Sequence, residues 1–153
     1  MIKPPRILFV CLGNICRSPL AHGVFRTQAA QAGLAVEVDS AGTGDWHAGN
    51  LPDQRARDVA QARGYDLSDL RARQVTRADF DQFGLILAMD HSNLRDLRAL
   101  HPGREGAELR LFLHPARADV PDPYFDGRFD HVLDLVEAGC SRLVDQLMTR
   151  GRG

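Results

Sequence analysis

The chain holds three cysteines, too few and of the wrong parity for a disulfide framework. A reducing, cytosolic home is expected. No apolar run approaches the roughly 18–20 residues of a membrane span. Met1–Pro5 leads straight into an apolar strand-like run, so no signal peptide is expected. Excess charge of either sign is also missing. The 19 Lys and Arg against 20 Asp and Glu leave a formal net charge of -1, which gives no general pull toward nucleic acid or membrane. Low-complexity tracts, internal repeats and linkers are absent. Six histidines (His22, His47, His91, His101, His114 and His131) are scattered. No pair of them has metal-ligand spacing with a cysteine or carboxylate, so no metal is expected.

What is present reads as one ordinary globular domain over residues 1–153, with 44% hydrophobic and 25% charged residues. Arg6 to Val10 reads as a central strand. A helix is expected from Pro19 to Gln31, with Ala21, Val24, Phe25, Ala29 and Ala32 as its apolar stripe and Gly33 stopping it. Leu34 to Asp39 alternates as a short strand, followed by a turn-rich loop from Ser40 through Trp46 to Asn50. Pro52 opens a second helix, which Gly64 ends. Asp66 to Gln74 reads as irregular, and Thr76 begins a helical turn. Leu85–Met89 is a strand, and Asp90–Asn93 caps a helix to Leu100. Leu109 to Leu113 is the last strand, Pro115 to Gly127 a long loop. Phe129 to Met148 is an amphipathic helix with Val132, Leu133, Val136, Cys140, Leu143, Val144 and Leu147 inward. Strands alternating with helices imply an α/β fold: a small four-stranded parallel sheet with helices on both faces, flavodoxin-like. Ligands of such sheets bind beyond the C-terminal strand ends. That rim gathers Cys11, Ser40–Asn50, Asp90–Asn93 and Pro115–Gly127.

The stretch that concentrates chemistry is Val10-Cys11-Leu12-Gly13-Asn14-Ile15-Cys16-Arg17-Ser18-Pro19. A cysteine ends a strand, a short loop follows, and a helix begins with Ser18 as expected N-cap and Pro19 at the first helical position. Gly13 and Asn14 readily accept left-handed backbone angles, so the loop is able to curl into a nest of N–H groups that binds an oxyanion. Arg17 adds a planar fork for two phosphate oxygens. Its position opposes the helix dipole, a conflict that a bound dianion removes. The same positive field should depress the pKa of Cys11 and make it a nucleophilic thiolate. Asn14 should hold the loop open, with Ser40 as its expected partner. The Ser18 hydroxyl is placed to donate to the Cys11 sulfur. A phosphate cradle with a nucleophile at its floor is a phosphoryl-transfer site.

The ten-residue string resembles the signature loop of the low-molecular-weight protein tyrosine phosphatases. Asp122-Pro123-Tyr124-Phe125 resembles their late Asp-Pro-Tyr-aromatic segment, and Asp39–Gly44 with Trp46 and Asn50 resembles a loop that flanks their pocket. The resemblance implies hydrolysis of phosphotyrosine through a phosphocysteine. Cys11 would be the nucleophile, Arg17 the phosphate clamp and Asp122 the general acid and base, with no cofactor. Pro123 restricts Asp122 to extended angles, as a rigidly held acid needs. Substrate would meet Leu12, Gly13, Asn14, Ile15, Cys16 and Ser18, with Trp46, Tyr124 and Phe125 as walls and Asn14 and Ser40 supporting the loop. The implied partner is a phosphotyrosine protein, a bacterial-type tyrosine kinase being one candidate, met by a monomer or weak dimer in the cytoplasm. Part of the family pairs a second cysteine, here Cys16, with the nucleophile in a reversible disulfide. Cys140 reads as core.

Two positions depart from the family pattern: His22 stands where many members have Glu, and Leu70 where several have His. A polar network behind the cradle is therefore expected to differ. Related groups that share the loop fit less well. Arsenate reductases need two late resolving cysteines, and Ser68 to Asn93 contains none. Arginine phosphatases usually carry Thr at the position of Ile15. A phosphate-binding module without catalysis would need neither Cys11 nor Asp122.

Overall fold

The apolar run Ile7–Val10 becomes the middle of β1 (Arg6–Cys11) because both of its faces are covered. In the computed structural model, which describes residues 4–101, 103 and 106–152, Ile7 and Phe9 point into one core and Leu8 and Val10 into the other. That two-sided burial is why a central parallel strand is a continuous hydrophobic run. The remaining elements are α1 (Arg17–Gln31), β2 (Glu37–Gly42), α2 (Gln54–Ala62), α3 (Asp79–Gln82), β3 (Leu85–Ala88) and α4 (His91–Leu100). They are followed by β4 (Glu108–Leu111), α5 (Pro123–Asp126) and α6 (Phe129–Arg152). The sheet is four-stranded and parallel, in the order β2-β1-β3-β4. The chain leaves β1 toward one edge and returns to its other side for β3. The C-terminal end of β1 thus lies at the topological switch point of a flavodoxin-like fold.

One core joins β1, α1, α2 and α6. All seven residues of the α6 stripe are buried, Val132, Leu133, Val136 and Cys140 completely. Each large aliphatic side chain buried this way contributes about 1.5–3 kcal/mol. The opposite core joins Phe80, Phe83, Leu94 and Leu97 to the other sheet face.

Several boundaries differ from the sequence reading, each for a local reason. The second strand lies later than Leu34–Asp39. Ser40, Ala41 and Gly42 belong to it and pair with Phe9, Val10 and Cys11. These small residues have weak strand preference, and the neighbouring strand imposes the conformation. Helix α1 starts at Arg17, so Ser18 is not its cap; Cys16 holds that position with no side-chain cap bond. Ala32 is exposed and lies outside the stripe. Helix α2 starts at Gln54 rather than Pro52, because the Asp53 side chain accepts from Arg55 N and caps it. The last strand ends at Leu111, and the loop after it contains the short α5, capped by Asp122.

Candidate active site

The loop after β1 curls back on the sulfur of Cys11. Asn14 N donates to Sγ at 3.3 Å, and Ser18 Oγ lies 3.0 Å from it. The curl depends on Asn14, whose φ is 57°. Gly13 does not take a left-handed angle, contrary to the sequence reading. It is small because a Cβ there would stand 3.1 Å from the His47 ring. Among the described residues, the N–H groups of Leu12, Gly13, Ile15, Cys16, Arg17 and Ser18 have no protein acceptor. Unpaired donors along a loop that curls back on a sulfur, at the start of a helix, supply the N–H groups of an anion nest.

Behind the loop, Asn14 Nδ2 donates to Ser18 Oγ at 2.8 Å, and Arg73 N donates to Asn14 Oδ1 at 3.0 Å. The expected Asn14–Ser40 bond is not made. Ser40 Oγ lies 3.0 Å from His22 Nδ1 instead, because α1 presents His22 to β2. Burial, and then the charge of Arg26, push His22 down to about 4 from its ordinary 6.5. It is a neutral imidazole wedged behind the loop. Leu70 is buried in the same core as α1.

Arg17 is 3% exposed. Its Nη1 donates to Asp90 Oδ2 at 2.6 Å and to the Val120 carbonyl at 3.0 Å. Asp90 is held in turn by capping α4, accepting from Asn93 N at 2.7 Å. The dipole conflict read from the sequence is therefore already answered by a partly buried carboxylate. Burial opposes the guanidinium charge, but the facing Cys11, Asp90 and Asp122 outweigh it and hold Arg17 above its ordinary value. With Nη1 occupied, Nε and Nη2 form the free edge of the fork. Asp122 Oδ2 lies 3.7 Å from Nη2.

These groups share one cavity of about 180 Å³. Cys11, Ile15, Cys16 and Arg17 line its deep part, and Leu12, Gly13 and Asp122 its rim. Trp46, Tyr124 and Phe125 line its mouth, together with His47. Phe125 is 90% exposed and Trp46 69%, and the Tyr124 and Phe125 rings meet edge-on with centroids 5.0 Å apart. Asn14, Ser18 and Ser40 stand behind the cavity rather than in its wall. All three cysteines are free and buried. Burial, then Asp53 and Cys11, push the Cys16 thiol far above its ordinary value, so Cys16 stays a neutral thiol. Cys140 is core.

The sequence reading missed His47 as a lining residue and Asp90 as the partner of Arg17. Asp90 was visible only as a helix cap, although its place on the rim was a usable signal. Arg73, which buttresses Asn14, and Arg55, which reaches Tyr124, carried no local signal, because their partners are distant in sequence.

The family model for low molecular weight phosphotyrosine protein phosphatase matches residues 6–152. A low molecular weight protein-tyrosine-phosphatase of Streptomyces coelicolor is 47% identical, covering 91% of each chain. The Bacillus subtilis protein YfkJ, of the same description, is 41% identical over 90% of this chain and 92% of its own. The crystal structure of YfkJ superposes with a TM-score of 0.91 at 39% identity, covering 97% of this chain and 98% of that one. Likeness of this extent, in sequence and in fold, places the chain in the family of low molecular weight protein tyrosine phosphatases, which are hydrolases.

Proposed function

We propose that the protein hydrolyses phosphotyrosine in proteins through a covalent intermediate on Cys11. The observation that supports this most is the joining of three things in one cavity. Cys11 lies inside a nest of unpaired N–H groups, Arg17 has one edge anchored and the other free, and Asp122 stands 3.7 Å from that free edge. The phosphate dianion occupies the nest and the Nε/Nη2 edge of Arg17. The Cys11 thiolate attacks phosphorus; the P–S bond forms as the P–O bond to the leaving group breaks. Asp122 gives its proton to the departing phenolate oxygen. Asp122 then takes a proton from water, which attacks phosphorus; the P–S bond breaks and the thiolate is restored. Rate comes from positioning and from fixed donors facing the transferring group.

Trp46, Tyr124 and Phe125 give the mouth apolar walls that suit an aromatic ring, and Ile15 continues that lining below them. Backbone of Leu12, Gly13, Ile15 and Cys16 contacts the phosphate, while Asn14, Ser18 and Ser40 support the loop from behind. In this reading the chain works as a single domain over residues 1–153, in the cytoplasm, as a monomer or weak dimer. It needs no cofactor. A bacterial-type tyrosine kinase is one phosphoprotein substrate of the right chemistry.

The test is turnover of phenyl phosphate and of a phosphotyrosine peptide by wild type, Cys11→Ser and Asp122→Ala. The expected result is complete loss in Cys11→Ser, and a drop of about 10²–10⁴-fold in Asp122→Ala on poor leaving groups. Turnover that survives in Cys11→Ser would overturn the covalent mechanism. Preference for a phosphoarginine peptide over the phosphotyrosine peptide would overturn the substrate assignment.

A further inference from the structure

Residues 121–127 carry Asp122 and, in Tyr124 and Phe125, half of the cavity mouth, yet few hydrogen bonds tie them to distant parts of the chain. Pro121 and Pro123 have no backbone donor. The bonds of Tyr124 N to Asp122 Oδ1 and of Gly127 N to the Pro123 carbonyl are internal. Phe129 N donates to the Gly127 carbonyl at 2.8 Å and Arg128 N to Asp126 Oδ1 at 3.0 Å, which joins the segment to the adjoining start of α6. Among the described residues, one hydrogen bond ties it to a part of the chain distant in sequence: Arg55 Nη2 donates to the Tyr124 carbonyl at 3.0 Å.

Arg55 is itself anchored on the phosphate loop. Its Nε and Nη2 reach Asp53 Oδ1 and Oδ2, each at 3.1 Å. Asp53 N in turn donates to the Ile15 carbonyl at 2.8 Å. The Arg55 guanidinium carbon also lies 5.5 Å from the centre of the Tyr124 ring and 4.7 Å from that of Phe129. One planar group thus grips a carboxylate with Nε and Nη2, a carbonyl with Nη2, and lies over two aromatic rings. It does not line the cavity. Tyr124 is held at both ends, its N–H by Asp122 and its carbonyl by Arg55.

We propose that Arg55 is a positioning residue for the general acid. By pinning the Tyr124 carbonyl to the segment that buttresses the phosphate loop, it sets the distance from the Asp122 carboxyl to the leaving oxygen. This rests on the reading of Asp122 as the acid.

The test compares kcat/KM for phenyl phosphate, whose phenol leaves poorly, and for 2,4-dinitrophenyl phosphate, whose phenol leaves without help. The proteins are wild type, Arg55→Ala, Arg55→Lys, Asp122→Ala and the Arg55→Ala/Asp122→Ala double variant. Competitive inhibition by inorganic phosphate monitors the cradle, and thermal melting monitors folding. Misplacing a reacting group by about 1 Å costs on the order of 10²-fold. Arg55→Ala is therefore expected to lose about 10–100-fold on phenyl phosphate, under about 3-fold on the dinitrophenyl ester, and about 2-fold or less in phosphate affinity. Arg55→Lys keeps the charge without the fork and is expected to fall between; it also decides the matter if Arg55→Ala does not fold. In the Asp122→Ala background the Arg55 change is expected to add almost nothing. Equal loss on both esters, weakened phosphate inhibition, or full additivity with Asp122→Ala would overturn the role of Arg55 alone. Asp122→Ala that treats the two esters alike would overturn the acid assignment, and the proposal with it.

Discussion

Ser18 is fully buried, and its single hydroxyl meets three groups: Cys11 Sγ at 3.0 Å, Asn14 Nδ2 at 2.8 Å and the Ala41 carbonyl at 3.4 Å. It accepts from Asn14 and has one proton to give, which a thiolate attracts more strongly than a distant carbonyl. A hydrogen bond to a charged group is worth about 1.5–3 kcal/mol. Ser18→Ala is therefore expected to slow the step in which sulfur leaves phosphorus by about 10–100-fold, read as a fall in kcat larger than the fall in kcat/KM. Arg17→Lys tests the fork. A lysine ammonium does not replace two contacts to Asp90 and Val120 while also gripping an anion from a second edge. The expected loss in kcat/KM is at least about 100-fold, with phosphate inhibition weakened in parallel. At this scale the loop after β1 was legible from the sequence as a candidate phosphate cradle, because the groups that meet the Cys11 sulfur, Asn14 N and Ser18 Oγ, are near neighbours in the chain. Ser18 as a cap was a misreading: a helix start signal and a hydrogen bond to sulfur use the same residue type.

Among the elements, β2 shows how strongly pairing overrides propensity. Ser40-Ala41-Gly42 looked like a turn, yet β1 draws it into the sheet. Gly42 is required there for space: a Cβ would stand 2.8 Å from the Leu12 carbonyl oxygen and 3.1 Å from that of Gly44. Gly42→Ala is expected to cost about 1–3 kcal/mol and to reduce phosphate affinity as well, since the strand end and the loop move together. Leu133→Ala makes the contrast. Leu133 is completely buried in α6 and does not line the loop cavity. A loss of about 2–5 kcal/mol is expected from denaturant titration, with kcat/KM unchanged below the melting transition. The α6 stripe was readable because a helix that buries one face writes its period into the chain.

For the molecule as a whole, His22 sets a pH dependence of folding. Buried beside Ser40, it is held down to about 4, whereas in the unfolded chain it titrates near 6.5. Between those values the unfolded state binds a proton that the folded state refuses. Stability is therefore complete above about pH 6.5, falls as the pH drops toward about 4, and then levels off, for a total of about 3 kcal/mol. Asp69, held low by its bonds to Arg26, gives way only at more acid pH. Urea midpoints at pH 7.5 and 4.5 check this: the difference is expected to shrink in His22→Gln, which keeps a donor toward Ser40. Strand and helix order along the chain and the curl of the loop after β1 were determined by the sequence alone, since each depends mostly on patterns or contacts within about ten residues. Only the tertiary structure decided what meets across the sheet rim. Asp90 reaches Arg17 over 73 positions, Arg73 reaches Asn14 over 59, and Arg55 reaches Tyr124 over 69. A parallel sheet brings every strand's C-terminal end to one edge, so groups with no local relation become neighbours there. No periodicity along the chain encodes which of them will pair.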